Sequence, residues 1–185
     1  MILSILIPTL PQRKEIFDSL LENLNKQRLN KYYDVEIIID SDDNNSIGTK
    51  RNHLLELAEG EYVCFIDDDD DVSENYIDLI LQAIKNKPDC VSLKGIMTTD
   101  GHTPEIFEHS IKYSEFKTTT NEVIYERYPN HLNTIKSEIA KQFKFLEINH
   151  GEDYDWATQI NRSGLLKNES YISDVIYYYK FIPLK

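Results

Sequence analysis

The sequence predicts an α/β fold, with a mostly parallel sheet flanked by helices and a smaller antiparallel β portion in the second half. Two observations predict the first part. Short apolar runs alternate with stretches of helical periodicity over the first ~95 residues. Each run also stops at proline, aspartate, serine or glycine, the residues that turn a chain. A third observation predicts the second part: Asp100-Gly101 stands between two strand-like stretches, as in a hairpin.

The elements follow in order. Residues 2–7, Ile-Leu-Ser-Ile-Leu-Ile, read as a buried strand ended by Pro8-Thr9. Ile16, Leu20 and Leu24, flanked by Phe17 and Leu21, predict a helix, with Pro11 tolerated near its first turn. Residues 35–39 form a second buried strand that ends at Asp40-Ser41-Asp42-Asp43-Asn44-Asn45. A helix over about 48–58 turns Leu54, Leu55 and Ala58 inward and stops at Gly60. Residues 61–66 are a third strand that runs into Asp67 to Asp71. Ser73 is the expected N-cap of a helix carrying Ile77, Ile80, Leu81 and Ile84 on one face. Cys90-Val91-Ser92-Leu93 reads as a fourth strand.

Beyond it, strands are expected near 93–99, 102–108 and 121–127, and a short helix from Ile135, Ile139 and Phe143. A further helix follows Gly151, with Trp156 and Ile160 inward and Gly164 as its stop. The Tyr-rich tail, Tyr171 to Ile182, closes the chain with a strand or two. There is no internal repeat, linker or clear domain boundary, and 185 residues suit one domain. The regular alternation spans about 1–95 and the less regular portion about 96–185, with ligands expected beyond the carboxyl ends of the strands.

Composition narrows the function. A formal net charge of −12 and a pI of 4.8 argue against a bulk nucleic-acid-binding surface or adhesion to anionic membrane. Cys64 and Cys90, the two cysteines, sit in apolar runs and read as buried free thiols; two cannot supply a four-thiolate zinc site. No stretch approaches a membrane span, and the N-terminal apolar run has no basic leader. The expectation is a cytoplasmic protein.

Five successive aspartates behind a buried strand need a counter-charge, since neighbouring carboxylates disfavour one another's ionisation. A hard divalent cation, Mg²⁺ or Mn²⁺, suits them, bound by one or two carboxylates with phosphates and water. Alternation along an extended strand would aim Asp67 and Asp69 one way and Asp68 another. Three other readings compete. An EF-hand loop has Val72 where glycine is required and Asp78 where glutamate is. A phosphatase-type Asp-x-Asp-x-Val is met by Asp68, Asp70 and Val72. A solvated acidic helix N-terminus accounts for Asp70 and Asp71 but poorly for Asp67 to Asp69.

In this order, "SILIPTL", "VEIIIDSDD", "GTKRNHLLELAEGEYVCFIDDDD" and "GEDYDW" together resemble the family 2 glycosyltransferases of the GT-A fold. The resemblance covers nearly the whole chain, and it implies one domain with a nucleotide-binding half over about 1–95 and an acceptor-side half over about 96–185. It implies an inverting, metal-dependent transfer from a nucleoside diphosphate sugar, UDP-sugars favoured, to a hydroxyl acceptor: a glycan, a lipid-linked sugar or another molecule. It places Pro8, Thr9 and either Asp40 or Asp42 at the base and ribose, and Lys50, Arg51 and Asn52 near the nucleotide. Asp68 joins that nucleotide-sugar set. It implies Asp67 at the ribose or metal, Asp69 on the metal, and Asp153 as catalytic base. Glu152 and Asp155 compete for that last role, with Glu152 and Trp156 on the acceptor side. Core packing is the stronger use of Trp156.

The chain departs from the family where many members carry a metal-binding histidine near the C-terminus; here the residues are "YYYKF". The metal then relies on Asp69, phosphates and water, or is helped by His150 or His131, and neither histidine is assigned as a ligand. The rival reading is a nucleotide- or metal-binding module of the same fold without turnover.

Overall fold

The computed structural model describes residues 1–29 and 34–181. Ile182, the expected end of the tail strand, lies outside them. The chain runs β1 (Leu3–Pro8), α1 (Lys14–Leu29), β2 (Val35–Asp40), α2 (Ile47–Leu57), β3 (Tyr62–Phe65), β4 (Asp71–Val72) and α3 (Tyr76–Ala83). It continues through β5 (Cys90–Val91), β6 (Leu93–Thr99), β7 (His102–His109), β8 (Lys117–Thr118), β9 (Val123–Arg127) and β10 (Ile135–Lys136). It closes with α4 (Ser137–Ala140), α5 (Glu152–Ser163), β11 (Glu169–Ser170) and β12 (Tyr177–Phe181).

Two mixed sheets result. The first has the order β11-β5-β10-β3-β1-β2, with β2, β1 and β3 parallel. β1 is buried throughout, so it reads as a continuous apolar run. Its alternate side chains serve two cores. Leu3, Ile5 and Ile7 join Phe17, Leu20 and Leu24 of α1, while Leu6 joins Leu54 and Leu55 of α2 and Trp156 of α5. The second sheet has the order β4-β12-β6-β7-β9-β8. It equals the first in strand number and is also mixed, because β12 and β9 pair in parallel with β6 and β7. The β6–β7 hairpin turns at Asp100 and Gly101, both at positive φ (49° and 74°).

Several expectations need correction. Phe17, not Ile16, faces the core; Ile16 is 55% exposed. β2 is an edge strand, so Ile39 on it is largely exposed. Gly60 does not cap α2, which ends at Ala58. Gly60 instead lets the chain pass against β1, where a Cβ would lie 2.6 Å from the Ser4 amide nitrogen. Ser73 does not cap α3, and its hydroxyl is buried without a partner among the described residues. Gln27 of α1 does that work, accepting from the Ile77 amide at 2.9 Å and donating to the Ser73 carbonyl. Residues 90–93 are two strands: the chain leaves the first sheet at Val91 and enters the second at Leu93. Ile135 belongs to β10, which lies antiparallel between β3 and β5, so the short helix begins only at Ser137.

Candidate functional site

The parallel register of β1 and β3 brings their carboxyl ends together: Leu6 pairs with Phe65, and the Ile66 amide donates to the Leu6 carbonyl at 3.1 Å. Pro8-Thr9 and the aspartates therefore emerge side by side, where an open α/β sheet binds its ligands. β3 has already ended at Phe65. Asp67 to Asp70 form a turn, closed by the Asp70 amide on the Asp67 carbonyl at 3.1 Å. Strand alternation does not operate there. Asp67, Asp68 and Asp69 all line one cavity of about 780 Å³.

Each aspartate has its own solution to crowding. Asp67 accepts from Arg51 Nη2 at 2.7 Å and lies 3.4 Å from His131 Nε2. Burial opposes its charge, but Arg51 and His131 prevail and hold its carboxyl well below the usual range. Asp68 accepts from the Thr9 hydroxyl at 2.6 Å and from Arg13 Nη1 at 2.8 Å. Asp69, 35% exposed at the side chain, has the same Arg13 nitrogen at 3.2 Å. Burial and the neighbouring Asp67 and Asp68 raise its pKa, against Arg13. Asp70 turns away from the cavity. Burial first, then Asp67, push its carboxyl up to about 8, while the Tyr177 hydroxyl and the Lys180 amide donate to it at 2.8 and 2.9 Å. Asp71 enters β4 and pairs with β12. Asp68 and Asp70 thus diverge, which removes the geometry of an Asp-x-Asp phosphatase. The strand at Asp71–Val72 removes that of an EF-hand.

Arg51, 3% exposed, is the hub. It joins Asp67, Glu152 and His131, and its guanidinium lies 5.8 and 5.7 Å from the ring centres of Phe65 and Phe145. Burial disfavours its charge, yet Asp67, Glu152 and Asp153 raise its pKa. Lys50, also buried, donates to the Thr9 carbonyl at 2.6 Å and lines the cavity. On the opposite wall α5 begins at Glu152. Its first turn places Glu152 and Asp153 over the aspartates, with Asp153 39% exposed at the side chain.

The sequence reading missed Arg13 and did not assign His131. His131 Nδ1 is buried without a hydrogen-bond partner among the described residues and lies 3.9 Å from Asp153 Oδ2. Arg13's only signal was a cation in the turn after Pro8-Thr9. His131 sits in a loop with no motif around it. Four expected residues are not at the cavity. Asn52 clamps residue 145, donating to its carbonyl at 2.9 Å and accepting from its amide at 2.8 Å. Asp42 is exposed and closes its own loop through Asn44 and Asn45. Trp156 is 1% exposed and stacks on Phe145 at 4.7 Å, in the core. Asp40, buried at the end of β2, accepts from the Asp42 amide and pairs with His53 at 2.8 Å, outside the cavity lining.

A sequence model described as Glycosyl transferase family 2 matches residues 39–148, more than half of the chain. The chain belongs to glycosyl transferase family 2. A curated relative, the minor teichoic acid biosynthesis protein GgaB of Bacillus subtilis (strain 168), is 30% identical over a region covering 75% of this chain and 16% of that protein. Among solved structures, S. aureus TarS 1-349 in complex with UDP-GlcNAc matches with a TM-score of 0.72 at 18% identity, covering 100% of this chain and 60% of that one. The same protein in complex with UDP matches at 0.69, covering 98% and 61%. The fold of this family 2 chain is therefore GT-A, and the chain spans about three-fifths of those structures and a smaller part of the curated relative.

A divalent cation fits part of this site. Among the described residues no three His, Cys, Asp or Glu side chains converge to hold a metal by themselves. Mg²⁺ and Mn²⁺ sites that take one or two carboxylates and complete their shell with phosphate and water do not need three. Asp69 is suited to such a shell: it is part-exposed, and its pKa is raised by burial and by the charges of Asp67 and Asp68, which a cation would offset. Asp67 is next to it but already engaged on both oxygens.

Proposed function

We propose that this chain is a metal-dependent, inverting glycosyltransferase that moves a sugar from a UDP-sugar to a hydroxyl acceptor. One observation carries the reading: Asp153 and the Asp67–Asp69 turn face each other across one cavity, and buried Arg51 ties the two walls together. The neighbours' complexes with UDP and UDP-GlcNAc favour a uridine nucleotide. The relative's name favours a role in teichoic acid biosynthesis.

The donor diphosphate would lie between Asp69, Lys50 and Arg13, whose guanidinium is free to leave the carboxylates for a phosphate. Mg²⁺ or Mn²⁺, held by Asp69 with Asp67, would supply charge stabilisation to the departing diphosphate. Thr9 and the backbone at Pro8 would border the ribose. Asp153 takes the acceptor hydroxyl's proton as that oxygen attacks the anomeric carbon. The bond from that carbon to the diphosphate oxygen breaks in the same displacement, and its electron pair leaves with UDP. Attack opposite the leaving group inverts the anomeric centre. Glu152, neutralised by Arg51, positions this wall rather than taking the proton.

The test is calorimetry with a nucleoside diphosphate panel, with Mn²⁺ and with chelator, on wild type and Asp69→Ala. UDP binding that needs the metal and is lost in Asp69→Ala is the expected result. No nucleotide binding with metal present would overturn the reading.

A further inference from the structure

A smaller cavity of about 230 Å³ opens beside the first, and the two share Asp67, Asp153 and Tyr179. Its far wall comes from the second sheet, chiefly Met97, Phe107, Tyr125 and Arg127. Arg127 is the one lysine or arginine among its lining residues. In a chain with 32 acids and 20 bases, a part-buried cation should find a carboxylate. Arg127 has none among the described residues. Its Nη1 donates to the carbonyls of Lys117 and Glu126, at 2.5 and 2.9 Å. The guanidinium lies 5.0 and 5.3 Å from the ring centres of Phe116 and Tyr125, which fix its place without neutralising it. Burial lowers its pKa, against Tyr125, and no carboxylate opposes that. His109, its register partner on β7, is kept neutral by burial, with a pKa down to about 3, so it adds no competing cation.

We propose that this smaller cavity is the acceptor subsite and that the acceptor carries an oxyanion, phosphate or carboxylate, held by Arg127 while its hydroxyl reaches Asp153. The guanidinium fork matches such a group, and its Nη2 and Nε carry no hydrogen bond among the described residues. The aspartates at the cavity mouth keep the anion at the Arg127 end and leave the hydroxyl end to the base. The proposal rests on the reading of Asp153 as base.

The experiment titrates sn-glycerol 3-phosphate, glycerate and glycerol into wild type, Arg127→Lys and Arg127→Gln, with UDP present to occupy the phosphate contacts of the larger cavity. One of the anions should bind roughly tenfold or more tighter than glycerol to wild type, the worth of a charge-assisted pair. That preference should shrink in Arg127→Lys and vanish in Arg127→Gln. Which anion binds names the oxyanion. Equal binding of glycerol, no binding of either anion, or full anion affinity in Arg127→Gln would overturn the proposal. Should Arg127→Gln not fold by thermal melt, the wild-type comparison and Arg127→Lys decide. UDP is titrated first and alone: its failure to bind strikes the transferase reading, whereas normal UDP binding with no anion preference strikes this inference only.

Discussion

Arg51 and Glu152 stand 101 residues apart in sequence and form an ion pair buried on both sides, with side-chain exposures of 4% and 5%. The pair joins α2 to the first turn of α5, and Arg51 reaches on to Asp67. Truncating one partner of a buried pair leaves the other charge uncompensated, which costs about 3–5 kcal/mol. Arg51→Met should therefore lower the urea midpoint by that much stability, and more than Glu152→Gln does, because it strands two carboxylates. The double variant should recover part of the loss. A loss under 1 kcal/mol in Arg51→Met would mean the pair is not a structural tie.

Asp70 gives a pH dependence of definite sign. Its folded pKa, about 8, lies above the ordinary value of 3.8. The folded chain thus holds a proton that the unfolded chain releases. The resulting stability is fully present below pH 3.8 and is lost progressively as pH rises to about 8. Asp67, with its pKa lowered, acts oppositely: its contribution is present above the ordinary value and lost as pH falls through the folded one. Asp70→Asn retains an acceptor for the Lys180 amide and removes the titration. Measured with chelator, wild type minus Asp70→Asn stability should fall steadily between pH 4.5 and 8. A flat difference would show that Asp70 is ionised in the fold.

The first half of the chain was legible because its information is local. β1 through β3 are short apolar runs with turn residues at their ends, and the helices between them carry their periodicity openly. What the sequence did not disclose is long-range pairing. Nothing in Ile135-Lys136 announces a strand that separates β3 from β5. Ser92 looks like the middle of one strand, but it is where the chain changes sheets. The same holds at the site. The aspartates and Asp153 stand in recognisable motifs, whereas His131 matters through Asp67, Arg51 and Asp153, each far from it in sequence. Asn52 and Trp156 sit beside such motifs, yet their side chains are spent on Phe145.

Asn52 separates a nucleotide role from a structural one. Its side chain satisfies both the amide and the carbonyl of Phe145, 93 residues away. Asn52→Ala should cost about 1–3 kcal/mol of stability, the penalty for leaving such groups unpaired. The UDP dissociation constant should stay within about twofold, less than one hydrogen bond's worth. A tenfold weaker UDP affinity in a folded Asn52→Ala protein would return Asn52 to the nucleotide site.

Asp153 tests the chemistry itself. It lies on the wall opposite Asp69, part-exposed, beside a His131 nitrogen that has no hydrogen-bond partner among the described residues. As the base, it contributes roughly 10²–10⁴-fold to the transfer step. Asp153→Asn keeps the shape and removes the proton acceptor, so kcat should fall by that factor while UDP affinity holds. Glu152→Gln is the control: Arg51 already neutralises Glu152, so its loss should register first in stability and UDP affinity through a loosened Arg51–Asp67 contact. A larger fall in kcat for Glu152→Gln than for Asp153→Asn, in folded proteins of equal UDP affinity, would transfer the base to Glu152.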